Sequence, residues 1–220
     1  MCASAITLDR PWLTFDLGAR TRALSWARYR PGFVTASRSI CREARNAVVP
    51  EGFDVRAWYL AELAERGDGD SVAFLTSRDI RHYHTAEAYV APASAVAVAT
   101  VGLSNAERVG HRRAVPTTEH GTINVAVKLS TGLTDAGLIE ALSIAVEART
   151  AAVMDAQVAL PTGAATGTGT DCIAIAAAEG GTDYAGLHTE VGEALGRAVY
   201  DAVHAGAVEW KAEQEMTINA

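Results

Sequence analysis

Four polar, glycine-rich segments interrupt the apolar runs of this 220-residue chain, and their residue types could bind an anion. A glycine lets the backbone approach a ligand closely, and successive N–H groups can then point at one oxygen, such as the oxyanion of an acyl-transfer reaction. Threonines alternate with glycines in the third segment and add short hydroxyl groups. We call these segments junctions 1 to 4, and they cover residues 100–106, 119–124, 166–171 and 186–193.

Junction 3 fits neither of the two familiar phosphate-binding motifs. A P-loop needs Gly-Lys-Ser/Thr leading into a helix, and this segment has no lysine. A dinucleotide-binding fingerprint runs from strand through glycines to helix, whereas this segment precedes a predicted strand. The spacing alone is equally compatible with a plain turn between a helix and a strand. In full, the segment reads Thr166-Gly167-Thr168-Gly169-Thr170-Asp171.

Junction 4 offers a candidate general base. His188 directly precedes the start of a predicted helix, where the positive end of the helix dipole favours the neutral imidazole. A neutral imidazole near pH 7 can accept a proton from water. Glu193 follows one turn later, off the apolar stripe of the helix, and could orient that ring. The alternatives are an ordinary histidine near a helix cap and an exposed helix carboxylate.

Three further titratable residues are candidates for a site. Glu147 lies in a predicted helix among apolar neighbours, so we expect partial burial, the alternative being a solvated residue or an ion pair with a nearby arginine. His82 and His84 are two residues apart in a strand-like segment and would share one face. With a third ligand they could hold a metal ion, but no recognised metal motif surrounds them, and we predict no metal site.

The pattern of predicted helices and strands that must position these residues indicates one mixed α/β (α+β) domain over residues 1–220. Two or three long helices are expected to pack on a mixed or antiparallel sheet. Thr134 and Thr189 can cap the last two helices. Two short runs, 12–17 and 22–26, are interpreted as an N-terminal hairpin. The other predicted strands are 34–40, 71–76, 83–91, 95–101, 122–129 and 173–178, and the predicted helices are 54–65, 135–157 and 190–210.

The composition limits the classes of function. With 19 basic and 26 acidic side chains the net charge is −7, which disfavours non-specific binding to nucleic acid or to an anionic membrane. Three widely spaced cysteines without a Cys-x-x-Cys pair argue against a disulfide framework and fit a reducing compartment. We find neither a signal peptide nor an apolar run of about 18 residues, so we expect a cytoplasmic protein.

Taken in order, the junctions resemble those of the adenosylcobinamide amidohydrolases, roughly over residues 70 to 205. The resemblance implies hydrolysis of the amide that joins the aminopropanol arm to the corrin ring, giving adenosylcobyric acid, with the corrinoid as substrate, no required cofactor and a possible homo-oligomer. Arg149 stands where the family usually has lysine, and its planar fork makes different contacts. The residues just before Gly121, including His120, are also less typical. The resemblance rests on 100–106, 121–124, 147–149, 166–171 and 186–193.

For this reaction we predict His188 as general base and acid, oriented by Asp171 or Glu193, with all segments converging in one cavity shaped for a corrin side arm. We predict that the four backbone N–H groups of residues 167–170, with Asn105 or Asn124, bind the oxyanion. Replacing His188 with alanine should then abolish turnover. A threonine nucleophile, a corrinoid-binding protein without catalysis, and a metal-dependent hydrolase using two histidines and an acid remain alternatives. The predicted catalytic residues are His188, Asp171, Glu193 and Glu147, and the predicted substrate-binding residues are Gly102, Asn105, Asn124, Thr166, Gly167, Thr168, Gly169 and Thr170, with Thr168 and Thr170 the candidate nucleophiles.

Overall fold

The computed structural model describes residues 5–44, 52–111 and 120–218. Within these ranges the chain forms twelve strands and three α-helices. The helices are α1 (Val55–Glu65), α2 (Asp135–Asp155) and α3 (Glu190–Ile218), and a 3₁₀ turn covers Ile80–His82. The strands are β1 (Ile6–Asp9), β2 (Trp12–Ser25), β3 (Gly32–Glu43), β4 (Val72–Thr76), β5 (Tyr83–Val90), β6 (Ala93–Val101), β7 (Ala106–Glu107), β8 (Ile123–Leu129), β9 (Ala159–Leu160), β10 (Gly163–Ala164), β11 (Gly167–Thr168) and β12 (Cys172–Ala177).

Eight of the strands form one mixed sheet, which confirms the predicted fold class. Its order is β4-β3-β2-β12-β8-β6-β5, and β1 pairs with β2 beside this path. The pairs β3/β4 and β8/β12 are parallel, and the other pairs are antiparallel. The short strands β9/β10 and β7/β11 form two separate ribbons, and β7/β11 joins the end of junction 1 to junction 3.

The sheet curls so that strands far apart in its order face each other. The Sγ of Cys41 on β3 lies 3.9 Å from the Oγ1 of Thr100 on β6, although three strands separate them in the sheet. The amide Nδ2 of Asn124 on β8 donates to the carbonyl of Leu75 on β4 at 3.2 Å. An apolar cluster fills the inside of the curl, drawn from Leu13, Phe15, Phe74, Val98, Ala126, Ala174 and others.

Helices α2 and α3 cover the other face of the sheet. Small and branched residues at helical spacing make their inner stripes, including Leu138, Ala141 and Ala145 on α2. Both predicted caps are confirmed: the hydroxyl oxygen of Thr134 accepts from the N–H of Gly137, and that of Thr189 accepts from the N–H of Gly192. The 29 residues of α3 span about 43 Å and continue beyond the predicted end at 210.

Among the described residues, no helix combines the length and the apolar character that crossing a bilayer requires. The two longest helices instead pack their apolar stripes against each other and against the sheet.

The predicted N-terminal hairpin is wrong. Residues 12–17 and 22–25 belong to the single strand β2, and both halves pair with β3. The register shifts between Asp16 and Thr21, where Gly18 takes a φ of +84° and donates its N–H to the Asp16 carboxylate. A glycine with positive φ serves a β-bulge as well as a hairpin turn, so the local sequence does not distinguish the two.

Candidate active site

Junctions 1, 2 and 3 meet at one end of the sheet. Junction 1 leaves β6, whereas junctions 2 and 3 enter β8 and β12, and the antiparallel pairing of β6 with β8 places all three at the same end. The N–H of Gly102 donates to the carbonyl of Thr122 at 2.9 Å. The hydroxyl of Thr170 donates to the carbonyl of Gly121 at 2.9 Å. Three of the four predicted segments therefore converge.

Gly121 lies at the tightest point of this convergence. A Cβ at this position would lie 2.8 Å from the side-chain oxygen of Asn105 and 2.9 Å from both the carbonyl of Gly102 and the N–H of Ser104. Such distances are shorter than real Cβ contacts allow, so only glycine fits. The oxygen of Asn105 is buried and has no hydrogen-bond donor among the described residues.

Asp171 ties junctions 2 and 3 to helix α2. Its side chain is 5% exposed and forms an ion pair with Arg149. The carboxylate also accepts from the N–H of Ile123 at 2.9 Å and from the N–H and hydroxyl of Thr168 at 2.9 and 2.5 Å. Burial raises the pKa of Asp171, and Arg149 and these hydrogen bonds offset part of that rise. The glycine-threonine loop therefore encloses a carboxylate of its own chain.

Two of the four N–H groups predicted to bind the oxyanion already have acceptors inside the loop. The N–H of Thr168 donates to Asp171, and that of Thr170 donates to the hydroxyl of Thr168 at 3.3 Å. Gly167 has a structural reason to be glycine, since a Cβ there would overlap the guanidinium of Arg149. Gly169 is exposed and has open space around it.

Two other predicted binding residues also have partners within the fold. Asn124 is 3% exposed and donates into the curled interior of the sheet. The hydroxyl of Thr166 accepts from the N–H of Val109 at 2.8 Å and donates to the carbonyl of Glu107 at 3.3 Å. Both residues hold junctions in place.

Junction 4 lies at the opposite end of the sheet, because it follows the carboxyl end of β12 whereas junction 3 precedes its amino end. The N–H of Ala185 donates to Glu140 on α2 at 2.6 Å. Arg149, the partner of Asp171, lies nine residues further along α2, which is about 13 Å along the helix axis. His188 is exposed. The structure therefore does not bring His188 to Asp171, as the sequence-based mechanism requires.

The other two predicted catalytic carboxylates lie on helix surfaces. Glu193 is 54% exposed and pairs with Arg197 at 3.4 Å one turn along α3. Glu147 is exposed on α2 rather than partly buried as expected. Neither the cavity inside the curl nor the cleft of about 410 Å³ described below has either glutamate, or His188 or Asp171, on its wall, and their catalytic roles stay predictions.

A cleft of about 410 Å³ opens beside junctions 1 and 2. One wall is the segment that follows β4 and includes the 3₁₀ turn, and another is the last third of α3. The hydroxyl of Ser77 donates to the carbonyl of His120 at 2.9 Å and connects the first wall to junction 2. The lining residues are Ser77, Arg78, Asp79, Arg81, His82, Gly102, Ser104, His120, Trp210, Glu213 and Gln214.

Two histidines and two glutamates form a cluster at this cleft, which we call the His–Glu cluster. The Nδ1 of His82 lies 2.9 Å from Oε1 of Glu209 and 3.2 Å from Oε1 of Glu213. The Nε2 of His84 lies 2.7 Å from Oε2 of Glu209. Arg78 contacts both carboxylate oxygens of Glu213, one of them at 2.9 Å. Such a group can activate water as a histidine–carboxylate pair or as a set of metal ligands.

The His–Glu cluster combines ionised groups with access to the cleft. Burial alone would raise the pKa of Glu209, but the hydrogen bonds from His82 and His84 outweigh it, and the pKa lies below its ordinary value. Glu209 is therefore a carboxylate at neutral pH. His82 is 35% and Glu213 27% exposed, so a ligand in the cleft can reach them.

Sequence reasoning identified half of this cluster. The shared orientation of His82 and His84 was predicted, and both side chains contact Glu209. Glu209 and Glu213 were both missed. Glu209 lies within the predicted helix, but Glu213 lies beyond its predicted end at residue 210, so the pair was not recognised. Their i, i+4 spacing was a usable signal once α3 is extended through Ile218, since it places both carboxylates on one face.

Comparisons with known proteins add two findings. A family model described as adenosylcobinamide amidohydrolase matches residues 3–215. An uncharacterized protein of Methanocaldococcus jannaschii is 38% identical over 93 residues, which are 40% of this chain and 36% of that protein. The match therefore spans about a third of the length of that relative.

Proposed function

Because the chain belongs to the adenosylcobinamide amidohydrolase family, we propose that it hydrolyses the amide between the aminopropanol arm and the corrin ring of adenosylcobinamide. Water is the second substrate, and the products are adenosylcobyric acid and the free aminopropanol. The family match over residues 3–215 supports the class of reaction. The observation that carries the location is the cleft at which junctions 1 and 2 meet the His–Glu cluster.

The size of the cleft favours a side arm as its occupant. A volume of about 410 Å³ lies at the lower end of the range of small-molecule pockets, which is too small to enclose a corrin ring. The ring would lie across the mouth of the cleft with one arm inserted. This pose brings the amide of that arm next to His82 and Glu213.

We assign the activation of water to His82 with Glu209 and Glu213, in place of His188. A positioned acid or base contributes about 10²- to 10⁴-fold to such a reaction. The departing amine needs a proton, and His120, which borders the same cleft, is in place to supply it. Arg78 holds Glu213 and brings a positive charge to the site of the developing oxyanion.

The test is incubation of the purified protein with adenosylcobinamide, followed by chromatography and mass spectrometry. We expect adenosylcobyric acid to appear, and we expect His82→Ala to reduce kcat at least about 100-fold while corrinoid affinity is kept. Asp201→Asn, an exposed acid elsewhere on α3, is the control and should keep full turnover. Corrinoid binding without any product would instead favour a non-catalytic corrinoid-binding protein.

The proposed compartment is the cytoplasm. Cys41 is buried and Cys172 is half-buried, and both are free thiols. Free thiols are typical of proteins in a reducing compartment. The proposed partner is the small corrinoid substrate.

A further inference from the structure

The His–Glu cluster also has the composition of a metal centre, and we propose that His82, Glu209 and Glu213 bind one divalent transition-metal ion such as Zn²⁺. One ligand atom from each of the three residues lies within 4.8 Å of the others. An imidazole nitrogen with two carboxylate oxygens suits Zn²⁺ and its neighbours better than Mg²⁺, which prefers oxygen ligands alone. Ion binding is tested independently of the reaction, whereas the catalytic role of the ion rests on the proposed function.

The positions of the ligand atoms are close to those that the ion requires. Ligands about 2.0–2.2 Å from a tetrahedral Zn²⁺ are about 3.3–3.6 Å apart. The Nδ1 of His82 is 2.9 Å from the nearer oxygen of Glu209 and 3.2 Å from that of Glu213. These two distances need to change by about half an ångström or less, and the two carboxylate oxygens lie within 4.8 Å of each other. Both glutamates are on one face of α3, so the helix fixes their separation.

Outer partners hold two of the three ligands in orientation, as is usual at metal sites. His84 contacts the second oxygen of Glu209 at 2.7 Å, and the first oxygen faces His82, the other proposed ligand, at 2.9 Å. Arg78 fixes Glu213 through its two Nη atoms. The Arg78 side chain is only 10% exposed, and its buried Nε has no acceptor among the described residues.

The charges at the cluster favour a cation. Two carboxylates four residues apart on a helix repel each other. The groups that face them are Arg78, His82 and His84, and only Arg78 is always charged. A divalent ion between the two carboxylates, where His82 now contacts both of them, would offset this repulsion.

Three protein ligands leave a fourth position for water, as in catalytic zinc sites. The ion makes the bound water a hydroxide near neutral pH. That water would have released one proton to solvent. The hydroxide oxygen would bond to the amide carbonyl carbon, the carbon–nitrogen bond would break, and the amine nitrogen would take a proton from His120, which recovers it from the new carboxylic acid. One water is consumed, and no oxidant or reductant is needed.

The experiment is titration calorimetry with ZnCl₂ on chelator-treated protein. We expect one site per chain, weakened more than about 100-fold by His82→Ala, Glu209→Gln or Glu213→Gln, because even outer partners contribute about 10- to 100-fold. Asp201→Asn should bind Zn²⁺ like the unmodified protein. The absence of a saturable site, or equal binding by all four variants, would overturn the proposal.

Two further measurements separate this proposal from the proposed function. Melting curves identify any variant that fails to fold, and His84→Ala then replaces it with an expected loss of about 10- to 100-fold. Adenosylcobinamide is then supplied to chelated protein with and without Zn²⁺. Conversion that requires Zn²⁺ supports both proposals. Full conversion without it overturns the catalytic role of the ion but leaves the function intact. Site-specific Zn²⁺ binding without any conversion overturns the function and leaves the metal site.

Discussion

Replacing Arg149 with alanine tests whether Asp171 anchors the converging junctions. The two side chains are 12% and 5% exposed, so the variant would leave a carboxylate buried without its cation. Removing one partner of a buried pair costs about 3–5 kcal/mol. The hydrogen bonds from Ile123 and Thr168 remain, which places the loss at about 3 kcal/mol, the lower end of that range. For a chain of this length that corresponds to a fall in Tm of about 6–12 °C at pH 7.

The loss should be smaller in acid. Burial raises the pKa of Asp171, and Arg149 is the strongest influence that lowers it, so the variant's pKa rises further. A carboxyl whose folded-state pKa exceeds its unfolded value of about 3.9 stabilises the fold below that value. This contribution is lost as the pH rises through the folded-state pKa. The difference in Tm between variant and unmodified protein is therefore expected to be smaller at pH 4.5 than at pH 7.

Thermal melts followed by circular dichroism at both pH values provide the assay. Arg197→Ala is the matched control, since Arg197 pairs with Glu193 on the surface and its loss should change Tm by no more than about 2 °C. In an Asp171→Asn background, Arg149→Ala should cost much less. An equal loss at both pH values, or an undiminished loss in that background, would refute the anchoring role.

Three other perturbations follow from described contacts. Gly121→Ala places a Cβ 2.8 Å from the Asn105 oxygen and should lower the free energy of unfolding by about 1–3 kcal/mol, as measured by thermal melts. Gly169→Ala is the control, because open space surrounds that position. Equal effects of the two substitutions would contradict the close packing at Gly121. Thr189→Ala removes the cap of α3 and should cost about 1 kcal/mol by denaturant titration, and an unchanged midpoint would count against that cap. His188→Ala decides whether His188 or the His–Glu cluster activates water. Because His188 is exposed and lies away from the cleft, we expect turnover within about twofold of normal. Abolished turnover would restore His188 as the catalytic base.

Much of the fold could be predicted because the local signals were unambiguous. Apolar runs between turns located β4, β5, β6, β8 and β12 to within about two residues. Thr134 and Thr189 marked two helix starts because a side-chain cap is a local feature. The continuity of β2 was not predictable in this way, since Gly18 supports either a turn or a bulge and only pairing with β3 decides between them.

The site was less predictable because its parts are distant in the sequence. His84 and Glu209 are 125 residues apart, and their contact depends on how α3 packs over β5 and β6. Junctions 3 and 4 were expected to converge, yet they flank the single strand β12. Segments that precede and follow one strand lie at opposite ends of it, so the order of motifs along the chain did not indicate their arrangement in space.

The long strand β2 has a consequence for how the molecule unfolds. Its residues contribute to three apolar clusters: Leu24 to the one under the helices, Leu13 and Phe15 to the one inside the curl, and Trp12 to the one beneath α1. Opening one cluster therefore disturbs a strand that also packs in the other two clusters. Amide hydrogen exchange along the buried part of β2 should therefore proceed mainly through cooperative global opening.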